Sequence, residues 1–288
     1  MATAPRNFSL TGFLKLVRAY NLLILAITQW SVGMVVASHT KEFWWQQAFN
    51  PQLWLLIGAT VCIAAAGYII NDYYDVKIDI VNKPSRVVID RVLKRRVAII
   101  LHLLLNLVGL ALAWPLGKNI FLIVGFSGFW LWLYSNWLKR QPLLGNVVVA
   151  ALSAVAVWLP AYFFREQTLL MATFAAYAFI ISLIREIIKD MEDMRGDMRY
   201  GCRTLPIVWG IRRTKWVIVS LTIVFVAFLL SASSAFSEIA TYYLAALVLP
   251  MAFFTRKLLA ADKIRDYRFL SKFAKILMLL GILTLFFF

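Results

Sequence analysis

Acidic residues are scarce in this chain, and cysteine and histidine are nearly absent. Its 288 residues include 14 Asp and Glu, two Cys and two His, against 30 Lys and Arg. No disulfide framework is implied, because Cys62 lies in an apolar run and Cys202 in a charged segment. Neither His39 nor His102 lies near the acidic clusters described below, so histidine is not expected to act as a base.

Charged residues as a whole are also few, at 15%, whereas 62% of the residues are hydrophobic. A soluble domain is usually about half apolar and about a quarter charged. Apolar runs of about 20 residues recur along the chain, which is the length that a helix needs to cross a bilayer. The runs are continuous rather than alternating, so the sequence predicts an all-α, polytopic membrane protein.

The apolar runs predict nine transmembrane helices, packed as a bundle around a central cavity open to lipid. The predicted spans are 16–37, 53–74, 97–115, 119–137, 144–163, 168–189, 215–234, 240–257 and 269–287. We interpret residues 1–288 as a single membrane domain with two pseudo-repeat halves, about 16–143 and 144–268, followed by the ninth helix.

Basic residues fall almost entirely on one side of this arrangement. Only Lys41, Lys118 and Arg165 of the 30 Lys and Arg lie on the other side. Cytosolic loops carry such an excess, so the N-terminus is expected in the cytosol. The same bias, together with contacts to membrane lipid headgroups, explains the net charge of +16 without a nucleic-acid partner. The lack of an Arg- and Ser-rich leader favours a prokaryotic plasma membrane.

The first acidic cluster follows the second apolar run, in the segment NDYYDVKIDIVNKPSR at 71–86. Asn71, Asp75 and Asp79 are spaced i, i+4 and i+8, and Asp72 precedes Asp75 by three positions. On a helix these four side chains share one broad face. Like charges so close together repel, so this face needs a metal cation or a basic partner.

The second acidic cluster follows the sixth apolar run, in the segment REIIKDMEDMRGDMRYGCRTLPI at 185–207. Glu186, Asp190, Asp193 and Asp197 again form one helical stripe. Both clusters end spans of the same parity, so both are expected on the cytosolic side, one in each half. A single acidic cluster is usually a solvated helix end, but two with basic neighbours favour a functional site.

Two carboxylate faces opposed across a cavity would suit Mg²⁺, which uses one or two carboxylates together with substrate phosphate. Basic residues accompany both clusters, namely Lys83, Arg86, Lys139, Lys189 and Arg203. Such cations can hold phosphate oxygens that the metal does not bind. The pattern predicts a diphosphate site at the membrane surface, with an apolar cavity below it for a hydrocarbon tail.

These motifs resemble those of the UbiA superfamily of intramembrane prenyltransferases. The superfamily's N-D-x-x-D-x-x-x-D motif is matched by Asn71, Asp72, Asp75 and Asp79, and N-K-P-x-R by the segment 82–86. Its second acidic motif is matched by Asp190, Asp193 and Asp197, and its tyrosine-and-lysine motif by YSNWLKR at 134–140. RAYN at 18–21 resembles R-P-x-N with alanine in place of proline, and Val87 stands where many members have proline.

The resemblance implies Mg²⁺-dependent transfer of a polyprenyl group from its diphosphate to a lipid-soluble or amphipathic acceptor. The metal ligands it implies are Asp72, Asp75, Asp79, Asp190, Asp193 and Asp197, of which Asp72, Asp75, Asp190 and Asp193 are the catalytic residues. The diphosphate-binding residues it implies are Asn71, Lys83, Arg86, Tyr134, Lys139, Lys189 and Arg203. The segment 189–207 resembles the branch that includes digeranylgeranylglyceryl phosphate synthases, so a geranylgeranyl donor and geranylgeranylglycerol phosphate as acceptor are expected.

Three alternatives remain beside this interpretation. Members that make tocopherol or chlorophyll have related second motifs, so an aromatic acceptor is the second hypothesis. A CDP-alcohol phosphotransferase would carry a D-G-x-x-A-R run, but no Asp is followed by Gly in this chain. A divalent-cation transporter would place its acids near the middle of the membrane rather than at one surface, and it would release no diphosphate.

Overall fold

The computed structural model describes residues 10–38, 44–233 and 245–285, and within these ranges the chain is helical, without a β-strand. The helices are α1 (Leu10–Leu16), α2 (Ala19–Ser38), α3 (Trp44–Ala48), α4 (Pro51–Asn82), α5 (Arg95–Ala113), α6 (Lys118–Asn136), α7 (Leu144–Phe164), α8 (Thr168–Arg199), α9 (Leu205–Ser233), α10 (Val248–Leu259) and α11 (Ile264–Thr284). The predicted all-α class is confirmed.

Six segments in the described ranges are long and apolar enough to cross a membrane: Ala19–Val36, Gln46–Asn82, Arg95–Leu116, Leu144–Phe164, Thr168–Arg199 and Leu205–Ser231. The chain is therefore an integral membrane protein, although nine spans stay a prediction. The predicted fourth span coincides with α6, which is not among these six segments. The predicted ninth overlaps α11, which carries several charges, and part of the eighth lies outside the described residues.

The two helices that carry the acidic clusters are the longest in the structure. α4 and α8 each contain 32 residues, which corresponds to about 48 Å of helix at about 1.5 Å per residue. A hydrocarbon core is about 30 Å thick, so each helix has a turn or more to spare beyond it. Both acidic motifs lie in these helices, which confirms the helical spacing on which their prediction rests.

The start and the end of α4 are fixed by local sequence. The Asn50 side chain accepts a hydrogen bond from the backbone N–H of Gln52 at 2.9 Å, and Pro51 occupies the first helical position. Asn is a favoured N-cap because its side-chain oxygen accepts from a backbone N–H that has no partner within the helix. Pro is tolerated at the first helical position because the N–H that it lacks would be unpaired there anyway. After α4 the chain forms a 3₁₀ turn at Pro84–Arg86 and reaches α5. Arg91 donates to the carbonyl of Pro84 at 2.8 Å and so ties this connection together.

The chain forms two compact units, which we describe separately. The first comprises residues 1–30 and 45–139, and the second 31–44 and 140–288. In the first unit, α4 packs on α5 and α6. Small residues permit this packing: Gly67 lies against the Leu131 side chain of α6, and Gly109 lies against the Ala59 carbonyl of α4.

In the second unit, α8 packs on α7, α9 and α11. Its inward side is apolar, and Ile184, Ile187 and Ile188 are completely buried. The path of α9 changes at Gly210, which has a φ of 77° inside the helix. Glycine adopts a positive φ without strain, so it permits this break.

Candidate functional site

In the first unit, Asp72 of α4 is paired with a cation from near the N-terminus. Arg18 Nη2 lies 2.8 Å from Asp72 Oδ1. Arg18 occupies the break between α1 and α2 and has a φ of 52°. Its guanidinium also lies 4.9 Å from the centre of the Tyr68 ring, one helical turn before Asp72. Arg18 is thus held by a carboxylate and by a ring face from the same helix.

Asp75 lies three residues after Asp72 on the same face of α4 and is paired with Lys139. The Lys139 ammonium donates to Asp75 Oδ1, and the two side chains are only 9% and 14% exposed. Lys139 lies in the 3₁₀ turn Leu138–Arg140 that follows α6, and its ammonium is 6.0 Å from the centre of the Tyr74 ring. The structure therefore brings together two residues that the sequence predicted for the site from segments far apart in the chain.

The other predicted residues of this unit lie close to the acidic helix or on neighbouring segments. Asn71 and Asp79 are half-buried on α4. Lys83 is the C-terminal cap of α4, where its backbone N–H donates to the carbonyl of Asp79 at 2.8 Å. Tyr134 is half-buried on α6. Arg86 ends the 3₁₀ turn after α4, and its side chain lies outside the described part of the structure.

In the second unit, Asp190 of α8 is held by a neutral side chain. Asn146 Nδ2 donates to Asp190 Oδ2 at 2.8 Å. Asn146 lies in the first turn of α7 and is buried. An amide orients a carboxylate without neutralising it, whereas the ion pairs of Asp72 and Asp75 compensate the charge.

Glu186, one turn before Asp190, is buried and compensated by cations of its own helix. Arg185 Nη1 lies 2.5 Å from Glu186 Oε1, and Lys189 Nζ lies 2.9 Å from Glu186 Oε2. Lys189, predicted to bind diphosphate, is therefore paired with a carboxylate. Glu192, on another side of α8, is also buried and pairs with Arg268 of α11 at 3.1 Å. That pair fastens α11 to α8.

After the C-terminal end of α8, the chain brings Arg203 beside Arg140. Asp193 and Asp197 both lie on α8, and the carbonyl of Asp197 accepts from the backbone N–H of Cys202 at 2.9 Å. The chain then extends, and the backbone N–H of Arg203 donates to the carbonyl of Arg140 at 2.9 Å. The side chains of Arg203 and Arg140 are both exposed.

The donor set fits Mg²⁺ only with help from other ligands. In the part of the chain that the structure describes, no three His, Cys, Asp or Glu side chains converge as a ready-made metal centre. Mg²⁺ typically takes one or two carboxylates and fills its other positions with waters and substrate phosphates. Within each unit, the carboxylates of α4 or of α8 are oxygen donors of that kind, and the adjacent Lys and Arg side chains are of the type that binds phosphate.

Sequence reasoning missed two residues of this arrangement. Arg18 falls in the RAYN motif at 18–21, which carried a family resemblance but no assigned role. Asn146 had a weaker signal: it is a single amide at the start of the fifth apolar run. Polar groups at such positions are seldom left without a hydrogen-bond partner, and the partner here is Asp190.

Comparison with known sequences identifies one protein family. The model of the UbiA prenyltransferase family matches residues 24–280. The digeranylgeranylglyceryl phosphate synthase of Sulfurisphaera tokodaii is 35% identical over 218 residues, covering 75% of this chain and 76% of that protein. The enzyme of the same name from Thermococcus gammatolerans is 32% identical and covers 72% of both chains.

Solved structures share the fold. A structure described as giving insight into digeranylgeranylglyceryl phosphate synthase in membranes superposes with a TM-score of 0.71 and 24% identity, covering 96% of both chains. A UbiA homologue from Archaeoglobus fulgidus, bound to GPP and Mg²⁺, superposes with a TM-score of 0.65 and 15% identity, covering 95% of this chain and 99% of that one.

Proposed function

Because the chain belongs to the UbiA prenyltransferase family, we propose that it transfers a geranylgeranyl group from geranylgeranyl diphosphate to geranylgeranylglycerol phosphate. The observation that carries this proposal is the Asp75–Lys139 pair. It puts a carboxylate suited to Mg²⁺ and an ammonium suited to phosphate side by side, next to long apolar helices. A substrate with a charged diphosphate head and a hydrocarbon tail needs both features.

The choice of acceptor rests on the relatives. The sequences from Sulfurisphaera tokodaii and Thermococcus gammatolerans both bear the name digeranylgeranylglyceryl phosphate synthase, and this chain matches about three quarters of each. The acceptor implied by that name is an amphipathic glycerol phosphate. An aromatic acceptor stays the alternative, and the experiment below separates the two.

We propose that the protein acts at the cytosolic face of a prokaryotic plasma membrane. In this topology nine helices span the membrane as a single domain with two pseudo-repeat halves, and the N-terminus is cytosolic. The support is the distribution of Lys and Arg, which places nearly all of them on one side. Both acidic motifs then lie on that side, where water-soluble diphosphate can leave.

The chain's own residues divide into carboxylates for the metal and donors for the diphosphate. Asp72, Asp75 and Asp79 of α4 and Asp190, Asp193 and Asp197 of α8 would hold Mg²⁺, which supplies positive charge that stabilises the departing diphosphate. Phosphate oxygens would be bound by Asn71, Lys83, Arg86, Tyr134, Lys139, Lys189 and Arg203. For Lys139 and Lys189 this requires exchanging a carboxylate partner for a phosphate oxygen.

The reaction exchanges one C–O bond for another. The allylic C–O bond of the donor breaks and its electron pair leaves with the diphosphate. The hydroxyl oxygen of the acceptor then bonds to the allylic carbon, and its proton is released. The side chains described above act by orienting the diphosphate and compensating its charge, which lowers the barrier to ionisation.

The test is diphosphate release by the purified protein with geranylgeranyl diphosphate and Mg²⁺. One reaction receives geranylgeranylglycerol phosphate, and parallel reactions receive 4-hydroxybenzoate, dihydroxynaphthoate or homogentisate. We expect diphosphate release and an ether-linked product only with the glycerol phosphate, and no release after chelation of Mg²⁺. Release only with an aromatic compound would mean that the acceptor is aromatic rather than a glycerol phosphate. No release with any acceptor would overturn the proposed function.

A further inference from the structure

The acidic residues on α4 and α8 have unlike partners. Asp72 and Asp75 are each paired with a cation, Arg18 and Lys139 respectively. Asp190 instead accepts from the neutral amide of Asn146. Among the described residues Asp190 has no ion-pair partner, because the ammonium of neighbouring Lys189 is paired with Glu186. Two α4 carboxylates are therefore compensated by cations, whereas the Asp190 carboxylate meets a neutral amide.

This difference bears on metal binding because Mg²⁺ competes with a resident cation for the same carboxylate oxygen. At Asp75 the competitor is an ammonium that is itself only 9% exposed. Moving that ammonium away from Asp75 without a new anionic partner would leave a nearly buried charge uncompensated, which is strongly unfavourable. The diphosphate of a substrate is such a partner, because ammonium and guanidinium groups bind phosphate oxygens well.

At Asp190 no such exchange is needed. The Asn146 amide binds Oδ2 and fixes the carboxylate, so that Oδ1 keeps lone pairs for a metal. Hydrogen bonds of this kind orient ligating groups, and their loss typically lowers metal affinity about 10- to 100-fold. Because Asn146 carries no charge, it orients the ligand without competing for it.

From these contacts we propose that the two acidic motifs take up Mg²⁺ unequally. Asp190, oriented by Asn146, binds the ion that enters without substrate. Asp72 and Asp75 bind an ion only when a diphosphate draws Arg18 and Lys139 away from them. Asn146 is thus a positioning residue for the first ion, and Arg18 and Lys139 couple the second ion to the donor. This inference rests on the proposed function for the identity of the donor.

The experiment is a titration of the purified protein with Mn²⁺, which suits carboxylate and water ligands as Mg²⁺ does. Free Mn²⁺ is followed by electron paramagnetic resonance, with and without geranylgeranyl thiolodiphosphate, an analogue that ionises slowly. We expect one bound ion without the analogue and two with it. Asp190→Asn should remove the ion bound without analogue, whereas Asp75→Asn should leave that ion and remove the other. Asp262→Asn, at a residue with an 86% exposed side chain, is the matched control and should change neither.

Three further proteins test the positioning role of Asn146 and the coupling of the second ion to the donor. Asn146→Leu should weaken the substrate-free ion about tenfold or more, and Asn146→Asp, which keeps the size and adds charge, should strengthen it. A merely structural asparagine would give a loss in both. Lys139→Met combined with Arg18→Gln should admit the second ion without analogue. Thermal unfolding of each variant identifies any that is misfolded.

The results that would overturn the inference are specific. They are equal binding of two ions without analogue, loss of the substrate-free ion in Asp75→Asn but not in Asp190→Asn, or a second ion that still needs the analogue in the Lys139→Met, Arg18→Gln protein. Unequal binding without prenyl transfer to any acceptor would overturn only the proposed function. Prenyl transfer with equal binding would overturn only this inference.

Discussion

The Lys139 ammonium donates a hydrogen bond to the Asp75 carboxylate, joining two residues that are 64 positions apart in the chain. The contact links the turn after α6 to the last part of α4, and both side chains are nearly buried. Asp75 belongs to one family motif and Lys139 to another. The structure thus brings the two motifs into direct contact within the first unit.

Asp75→Asn should reduce prenyl transfer about 100-fold or more, because it removes negative charge that a metal ion needs and alters the partner of Lys139. The measurement is product formation under single-turnover conditions, together with the yield of folded protein in the membrane. Asp90→Asn is the matched control. Asp90 is exposed, and its one ion pair among the described side chains is with Arg95, at 3.6 Å, so its replacement should leave the rate nearly unchanged. Near-normal activity of Asp75→Asn would contradict the metal assignment.

Lys139→Met should lower the free energy of unfolding by about 3 kcal/mol, because it leaves a nearly buried carboxylate without its cation. The double variant Lys139→Met, Asp75→Leu should recover much of that loss, since it removes both charges together. Thermal unfolding in detergent, analysed as a double-mutant cycle, measures the coupling between the two positions. Additive effects of the two substitutions would mean that the pair contributes nothing to stability.

Gly67→Ala should destabilise the first unit by about 1–3 kcal/mol through overpacking. A Cβ at position 67 would lie 2.8 Å from Leu131 Cδ1, and two more atoms of that side chain are within 3.3 Å. The control is Gly281→Ala on α11, where an added Cβ meets no atom within 4 Å. That change should be neutral or slightly stabilising, because alanine favours the helix. An equal response of the two variants would contradict close packing at Gly67.

The proposed topology predicts opposite accessibility for two exposed positions, Lys94 before α5 and Lys118 at the start of α6. Single cysteines replacing Lys94 and Lys118 are introduced into a protein that also carries Cys62→Ala and Cys202→Ala. In intact cells a membrane-impermeant thiol reagent should label position 118 and not position 94. In inverted membrane vesicles the labelling should be reversed. Labelling of both positions from one side would refute the predicted alternation of loops across the third span.

The sequence by itself determined the class of the fold and the chemistry of the motifs. Continuous apolar runs cannot satisfy their backbone hydrogen bonds in lipid except as helices, which made the all-α class predictable. The spacing of Asp72, Asp75 and Asp79 predicted a shared helical face, and α4 does continue through all of them. These inferences depend only on periodicity and on local hydrogen bonding.

Helices α4 and α8 extend beyond the predicted second and sixth membrane spans. Their apolar runs end near residues 74 and 189, but α4 and α8 continue to Asn82 and Arg199. Helix formation depends on backbone hydrogen bonds rather than on lipid solubility, so a helix does not stop where its apolar residues do. Hydropathy therefore predicts only the membrane part of each helix, whereas the spacing of the acidic residues predicts the polar extension.

Only the tertiary structure decided which cation meets which acid. Nothing in the linear order links Arg18 to Asp72, Lys139 to Asp75 or Asn146 to Asp190, because each contact depends on how separate helices pack. In a sequence, a Lys and an Asn near a helix end are both simply polar residues that follow or precede an apolar run. Their effect differs once packed, since the ammonium neutralises its aspartate and the amide only orients its own.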